Sequence, residues 1–340
     1  MKAASRFLIF AGLVLTSPAA AQSSYSGLYV FGDSLVDSGN AHLATLGQEA
    51  PVEDGYYLGR FSNGPNFADY LSDALVGTPA TPVLLGGTNA AVGGATSAFI
   101  PGATSPSFLE QIGLYNQIVG QPIASDALVL VTFGGNDVRG TIDVGGAIDF
   151  SAAANDLATG LGQLYAGGAR NFVITGSPDI GLLPRSLEDT GGDPTRLDEL
   201  SFRSEQISAL FASTSASFAA LTGADVTFFD LLGFEGALMA NPPAFGLTAD
   251  FDFTTPCQIP GAGVPQFANC SQSLYFDGIH PTTVAHGAIA GAILAQLNDG
   301  VSAVPEPSTW MMMIVGFGLL GARLRMRRRP IAGNTALQPA

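Results

Sequence analysis

The chain has 340 residues, 47% hydrophobic and 12% charged, with 43 glycines and 21 prolines; this suits one large, loop-rich globular domain and excludes a disordered, highly charged protein. Between residues 22 and 303, six arginines and no lysine face 27 carboxylates, a formal charge of −21 that argues against nucleic acid and against unassisted binding to anionic membranes. The only lysine is Lys2, so the rest of the chain has neither a Schiff-base amine nor a Walker-type phosphate lysine.

Residues 1–21, "MKAASRFLIFAGLVLTSPAAA", combine Lys2 and Arg6 with an apolar run and small residues before Gln22, which reads as a secretory signal peptide cleaved after Ala21. The domain then opens with "LYVFGDSLVDSGNAHLATLG". Here a buried strand at 28–31 runs directly into Gly32-Asp33-Ser34, and Ser34 is either a turn cap or a nucleophile. Further unbroken runs rich in Val, Phe and Leu lie at 127–133, 171–175 and 225–230. Between and after the strands, helices are expected over 65–75, 105–119, 146–167, 196–222 and 281–297, the first and last opened by Pro65 and Pro281. Strand and helix in alternation predict a parallel sheet with helices on both faces; a β-sandwich is disfavoured because 146–167 and 196–222 are too long for turns. No internal repeat or linker interrupts the domain, which ends near 298–308.

Chemistry in such sheets collects at the carboxyl ends of strands. Ser34 follows the first. Gly93 and Gly94 follow a short strand in "GTNAAVGGATS", either as a tight turn or as backbone N–H groups brought close to a substrate. Asn136 follows the 127–133 strand in "GGND", as a turn residue with Asp137 or as a neutral amide donor. A serine nucleophile needs a base, and the domain has only His42, His280 and His286. His42 lies in a segment leaving the strand tip and His286 falls inside a helix, so position favours His280, held at the sheet rim by Pro281 as first helical residue. Asp277, three residues earlier, can orient the ring through Nδ1 or cap the helix.

Cys257 and Cys270 are the only cysteines, too few for a structural zinc site. In an exported protein they are expected to form a disulfide, worth about 3 kcal/mol by loop-closure entropy, with free thiols the alternative. Residues 304–329, "VPEPSTWMMMIVGFGLLGARLRMRRR", place a Pro-Glu-Pro break before an apolar run from Trp310 to Ala322 and an arginine cluster. That run is 13 residues long, short for a bilayer span. The order of parts resembles the PEP-CTERM sorting signal of Gram-negative bacteria, which implies transient inner-membrane anchoring by a transmembrane helix with the arginines cytoplasmic, then release by a sorting protease. The tail "PIAGNTALQPA" (330–340) departs from that pattern.

"GDSL" at 32–35, the glycine of "NAAVGGAT", "GGND" around Asn136 and "DGIH" at 277–280 resemble, in order, the blocks of the GDSL, or SGNH, hydrolase superfamily. "GRFSNGPNFADYL" and "NPPAFGLT" are similar to its extracellular, plant-lipase-like branch. The resemblance implies a three-layer α/β/α flavodoxin-like fold over 22–303, with Ser34 as nucleophile, His280 as base and Asp277 as its partner. It also implies an oxyanion hole of the Ser34 N–H, the Asn136 side chain and a glycine N–H, Gly94 in preference to Gly93. No metal or cofactor is expected. The implied activity is an exported carboxylic ester hydrolase, an esterase or lipase working through an acyl-enzyme on a small-molecule, lipid or polysaccharide ester. Its alternatives are an O-acetylesterase or acyltransferase on exopolysaccharide or lipid, or a non-catalytic surface matrix protein. Loops 47–60, 100–125 and 233–275 are expected to shape the pocket.

Overall fold

Four apolar runs become four parallel strands, β1 (Leu28–Gly32), β2 (Leu128–Thr132), β3 (Asn171–Thr175) and β4 (Asp225–Phe229), in the spatial order β1-β2-β3-β4. The computed structural model describes residues 25–259, 266–267 and 269–300, and all but the last three belong to one unit, Ser23–Leu297. The signal segment 1–21 and the apolar run 310–322 lie outside the described residues; among those described, no helix is long and apolar enough to cross a membrane.

The short strand expected in "GTNAAVGGATS" is reduced to a parallel bridge between Val30 and Asn89. It still docks on the free edge of β1: the Val30 N–H donates to Thr88 O, and the N–H groups of Ala90 and Val92 donate to Val30 O and Gly32 O. Counting this segment, five parallel pieces lie in the order 2-1-3-4-5, the flavodoxin-like arrangement, and the strand order reverses between β1 and β2.

In chain order the helices are α1 (Asn40–Ala44), α2 (Phe67–Val76), α3 (Phe108–Ile118), α4 (Gly135–Arg139), α5 (Ser151–Ala166), α6 (Pro184–Asp189), α7 (Pro194–Thr222), α8 (Leu231–Ala240) and α9 (Thr283–Gly300). Five match the expected helices. The start of α2 is set by Asn66, whose side chain accepts from the Asp69 N–H while Asp69 answers the Asn66 N–H, so the helix begins two residues after Pro65. Likewise α9 begins at Thr283, and Pro281 stands before it rather than in its first turn. The short α1, α4 and α6 were not foreseen, nor was the small antiparallel pair β5 (Gln258–Ile259) and β6 (Gln266–Phe267), because stretches this short carry little periodicity; α8 was also not foreseen, since its nearly continuous apolar run "LLGFEGALMA" shows no helical stripe.

Every residue of β2 is buried, as is required of a strand covered on both faces. On one face Tyr29 and Phe31 meet Tyr115 and Phe108 of α3, and Phe172 meets Phe218 of α7. The opposite face falls to α2 and α9, joined by the Phe67–His286 ring pair. Cys257 and Cys270 form the expected disulfide, closing the loop between β4 and α9.

Candidate active site

The chain turns sharply after β1 because Gly32 admits a close approach: a Cβ there would lie 2.5 Å from Val36 Cγ2 and 2.6 Å from Thr132 O. Gln111 of α3 clamps that residue, accepting from the Gly32 N–H (2.9 Å) and donating to its carbonyl (2.8 Å). The turn is capped by Asp33, whose Oδ1 accepts from the Leu35 N–H at 3.0 Å. Ser34 is thereby released from capping, and its Oγ lies 2.9 Å from His280 Nε2. Burial pushes Asp33 up to about 7, against the opposing pull of the Leu35 N–H and of His280.

His280 Nδ1 lies 2.8 Å from Asp277 Oδ2. Asp277 Oδ1 accepts from the backbone N–H groups of Ile279 and His280, both at 2.7 Å, so this carboxylate caps a turn and holds the imidazole at once. Burial alone would raise its pKa, but the His280 charge and hydrogen bond, together with those N–H groups, outweigh burial and hold it at about 2. Phe61 lies against the imidazole, ring centroids 4.9 Å apart.

Around Ser34 several donors are held ready. Asn136, in α4 just beyond β2, donates through Nδ2 to Ala95 O at 3.0 Å, which uses one of its two amide hydrogens. The Gly93 N–H is committed to Asp37 Oδ2 at 2.9 Å, whereas the N–H groups of Gly94 and Ser34 have no partner among the described residues. Gly94 sits at φ +80°, a conformation that disfavours any side chain. Asp137, beside Asn136, accepts from the N–H groups of Ser97 and Ala98 and so ties the α4 turn to the glycine loop.

The other two histidines stand apart from this chemistry. His42 faces the carbonyls of Glu49 and Ala50 and staples a surface loop. His286 is fully buried on α9 against Phe67.

Two contributions escaped the sequence reading. Asp37 accepts four backbone N–H groups, from Gly39, Asn40, Ala41 and Gly93, and locks the loop after β1 to the glycine loop. The repeated Asp and Asn in "DSLVDSGN" were the only signal of this. Tyr56, in the 47–60 loop, donates its hydroxyl to Asp277 Oδ2 at 2.8 Å and packs edge-on against Phe276. Burial and the facing carboxylate push the phenol far above its ordinary value, so it stays a donor.

Two hollows meet at Ser34, Asn136, Arg139, Ile279 and His280. An open cleft of about 720 Å³ extends past Gly93, Gly94, Ser105 and Leu84, and a narrow, mainly apolar slot of about 30 Å³ runs toward Pro178, Leu231 and Glu235. At the slot wall Glu235 accepts from the Asp179 N–H, and burial pushes it up to about 8. Among the described residues, no group of three or more His, Cys, Asp or Glu could hold a metal ion.

Residues 28–293 match the family model for GDSL-like lipase/acylhydrolase, and residues 303–329 match the PEP-CTERM protein-sorting motif. One GDSL esterase/lipase of Arabidopsis thaliana is 26% identical over 326 residues, spanning 80% of this chain and 90% of the relative. Another from that plant, GDSL esterase/lipase LTL1, is 29% identical over 327 residues, spanning 81% and 88%. A third, GDSL esterase/lipase EXL6, is 26% identical over 337 residues, spanning 86% and 97%. With its blocks in order on a flavodoxin-like sheet, the chain belongs to the GDSL-like lipase/acylhydrolase family and carries a PEP-CTERM protein-sorting motif after the domain.

Proposed function

We propose that the protein is an exported serine ester hydrolase that works through an acyl-enzyme. The observation that carries this reading is the continuous chain Ser34 Oγ–His280 Nε2 (2.9 Å) and His280 Nδ1–Asp277 Oδ2 (2.8 Å), ringed by donors with spare capacity. Ser34 Oγ attacks the ester carbonyl while its proton passes to His280 Nε2. The oxyanion that forms is received by the Ser34 and Gly94 N–H groups and the free hydrogen of the Asn136 amide. Collapse of the tetrahedral species expels the alcohol, which takes the proton from Nε2. Water, deprotonated by the same nitrogen, then releases the acid and restores Ser34. Asp277 keeps Nδ1 protonated and stabilises the imidazolium without itself taking the proton.

In this reading residues 1–21 direct export and are removed, residues 22–303 form the hydrolase domain, and residues 304–329 hold the protein at the inner membrane through 310–322 until a sorting protease cleaves. The domain then acts at the cell surface or beyond it. Labelling with a fluorophosphonate probe tests the reading directly. The wild type should be labelled and turn over nitrophenyl esters, and Ser34→Ala should abolish both. An unlabelled wild type would point to a matrix protein without turnover.

A further inference from the structure

The domain holds six arginines, and five are committed within it. Arg60 pairs with Asp69, Arg185 with Asp189, Arg196 with Asp143, and Arg203 with Glu199 and three backbone carbonyls. Arg170 donates to the carbonyls of Tyr165 and Ala169 and lies 4.0 Å over the Tyr165 ring. The Arg139 carbonyl, at the end of α4, accepts from the Ile142 N–H, but its guanidinium has neither an ion pair nor a hydrogen bond among the described residues. It is half-buried, and it lines both hollows beside Ser34 and Asn136.

An unpaired guanidinium that has lost part of its hydration is costly to keep unless something arrives to pair with it. The acidic groups in its field are Asp189 and Asp277, and each is already bonded, to Arg185 and to His280 with Tyr56. Glu235 in the slot is held neutral below about pH 8 by burial, and Glu49 on the open cleft is exposed to water. In a domain of formal charge −21, the one uncommitted cation thus stands at the mouth of the nucleophile's pocket. Five N–H donors in a planar fork suit a carboxylate or a similar oxyanion.

Both hollows reach Arg139, and they differ in the room they offer a charged group. The slot has room for about two waters, enough for an acetyl-sized group, and the open cleft is over twenty times larger. The geometry points to Arg139 as an anion-binding residue that selects short-chain esters of alcohols bearing a carboxylate, such as an O-acetylated acidic saccharide. This rests on the ester-hydrolase reading above.

The test compares kcat/KM for 4-acetoxybenzoate and for neutral 4-acetoxybenzamide in the wild type and in Arg139→Gln; taking the ratio of ratios cancels the intrinsic reactivity of the two leaving groups. The anionic-to-neutral ratio should fall at least about tenfold in the variant, and in the wild type it should fall with added salt. Arg170→Gln, which removes a cation that lines neither hollow, should leave that ratio unchanged. Inhibition by benzoate and benzamide reads the same site without mutation, with benzoate binding more tightly to the wild type. Equal losses on both esters in Arg139→Gln, or benzamide inhibiting as well as benzoate, would overturn the proposal while leaving the hydrolase intact. If the wild type turned over neither ester, the hydrolase reading would fall and this inference with it.

Discussion

His286 sits on α9 with no exposed surface, and neither ring nitrogen has a hydrogen-bond partner among the described residues. Burial, aided by the field of His280, pushes its pKa from 6.5 down to about 3. A depressed imidazole means that the unfolded chain binds the proton more readily. Stability from this group is therefore complete above about pH 7 and is lost as the pH falls through 6.5 toward 3. Between about pH 7.5 and pH 5, a difference between 6.5 and 3 corresponds to about 2 kcal/mol. His286→Leu keeps nearly the same volume, removes two unsatisfied polar atoms and abolishes the titration. Urea unfolding of both proteins, disulfide intact, should show the variant at least as stable at pH 7.5, its advantage growing by about 2 kcal/mol at pH 5. Taking the difference between the two proteins cancels the carboxylates whose pKa burial raises, Asp33, Asp37, Asp137 and Glu235, which act in the opposite direction with pH. An advantage that is constant with pH, or one that shrinks in acid, would refute the reasoning.

Three more perturbations probe the site and its surroundings. Asn136→Ala removes one of the proposed oxyanion donors and should lower kcat by roughly 100- to 1,000-fold with little change in KM; a change confined to KM would assign the amide to ground-state binding. Tyr56→Phe deletes the hydroxyl bonded to Asp277 and should lower kcat about tenfold, since two backbone N–H groups and His280 still hold that carboxylate; unchanged kinetics would make the phenol purely structural. The Cys257→Ser, Cys270→Ser double variant opens a loop with a sequence separation of 13 and should lose about 3 kcal/mol in urea unfolding, a loss that reduction of the wild type should reproduce.

Much of the molecule was legible because its signals are local. Strands buried on both faces read as unbroken Val, Phe and Leu runs, and β1 to β4 agree with their expected spans to within two residues at either end. His280 was singled out by elimination because the domain has so few histidines, and Asp277 by its spacing of three; the structure brings the two within hydrogen-bond distance of each other. Asp277 does not cap α9, which begins at Thr283; one of its oxygens instead caps the preceding turn at Ile279 and His280 while the other meets the imidazole. The helix starts were less legible: Pro65 and Pro281 each marked a start that side-chain capping set two residues later.

What depended on distant partners was invisible along the chain. Tyr56 and Asp277 are 221 residues apart, and only the closing of the sheet brings a tyrosine from an early loop onto the carboxylate. The resemblance put Gly94 before Gly93 with no local signal to separate them; in the structure the two differ in that Asp37 already occupies the Gly93 N–H. Arg139 looked like one of six equivalent arginines until the fold paired or stacked the other five. Composition, strand pattern and residue order thus determined by themselves the fold class, the disulfide and the candidates for the chemistry, because hydrophobic burial and side-chain reactivity are properties of the residues. The tertiary structure alone decided which donors remain free, which cation stays unpaired and how much room lies beside Ser34, because these depend on what distant segments have already consumed.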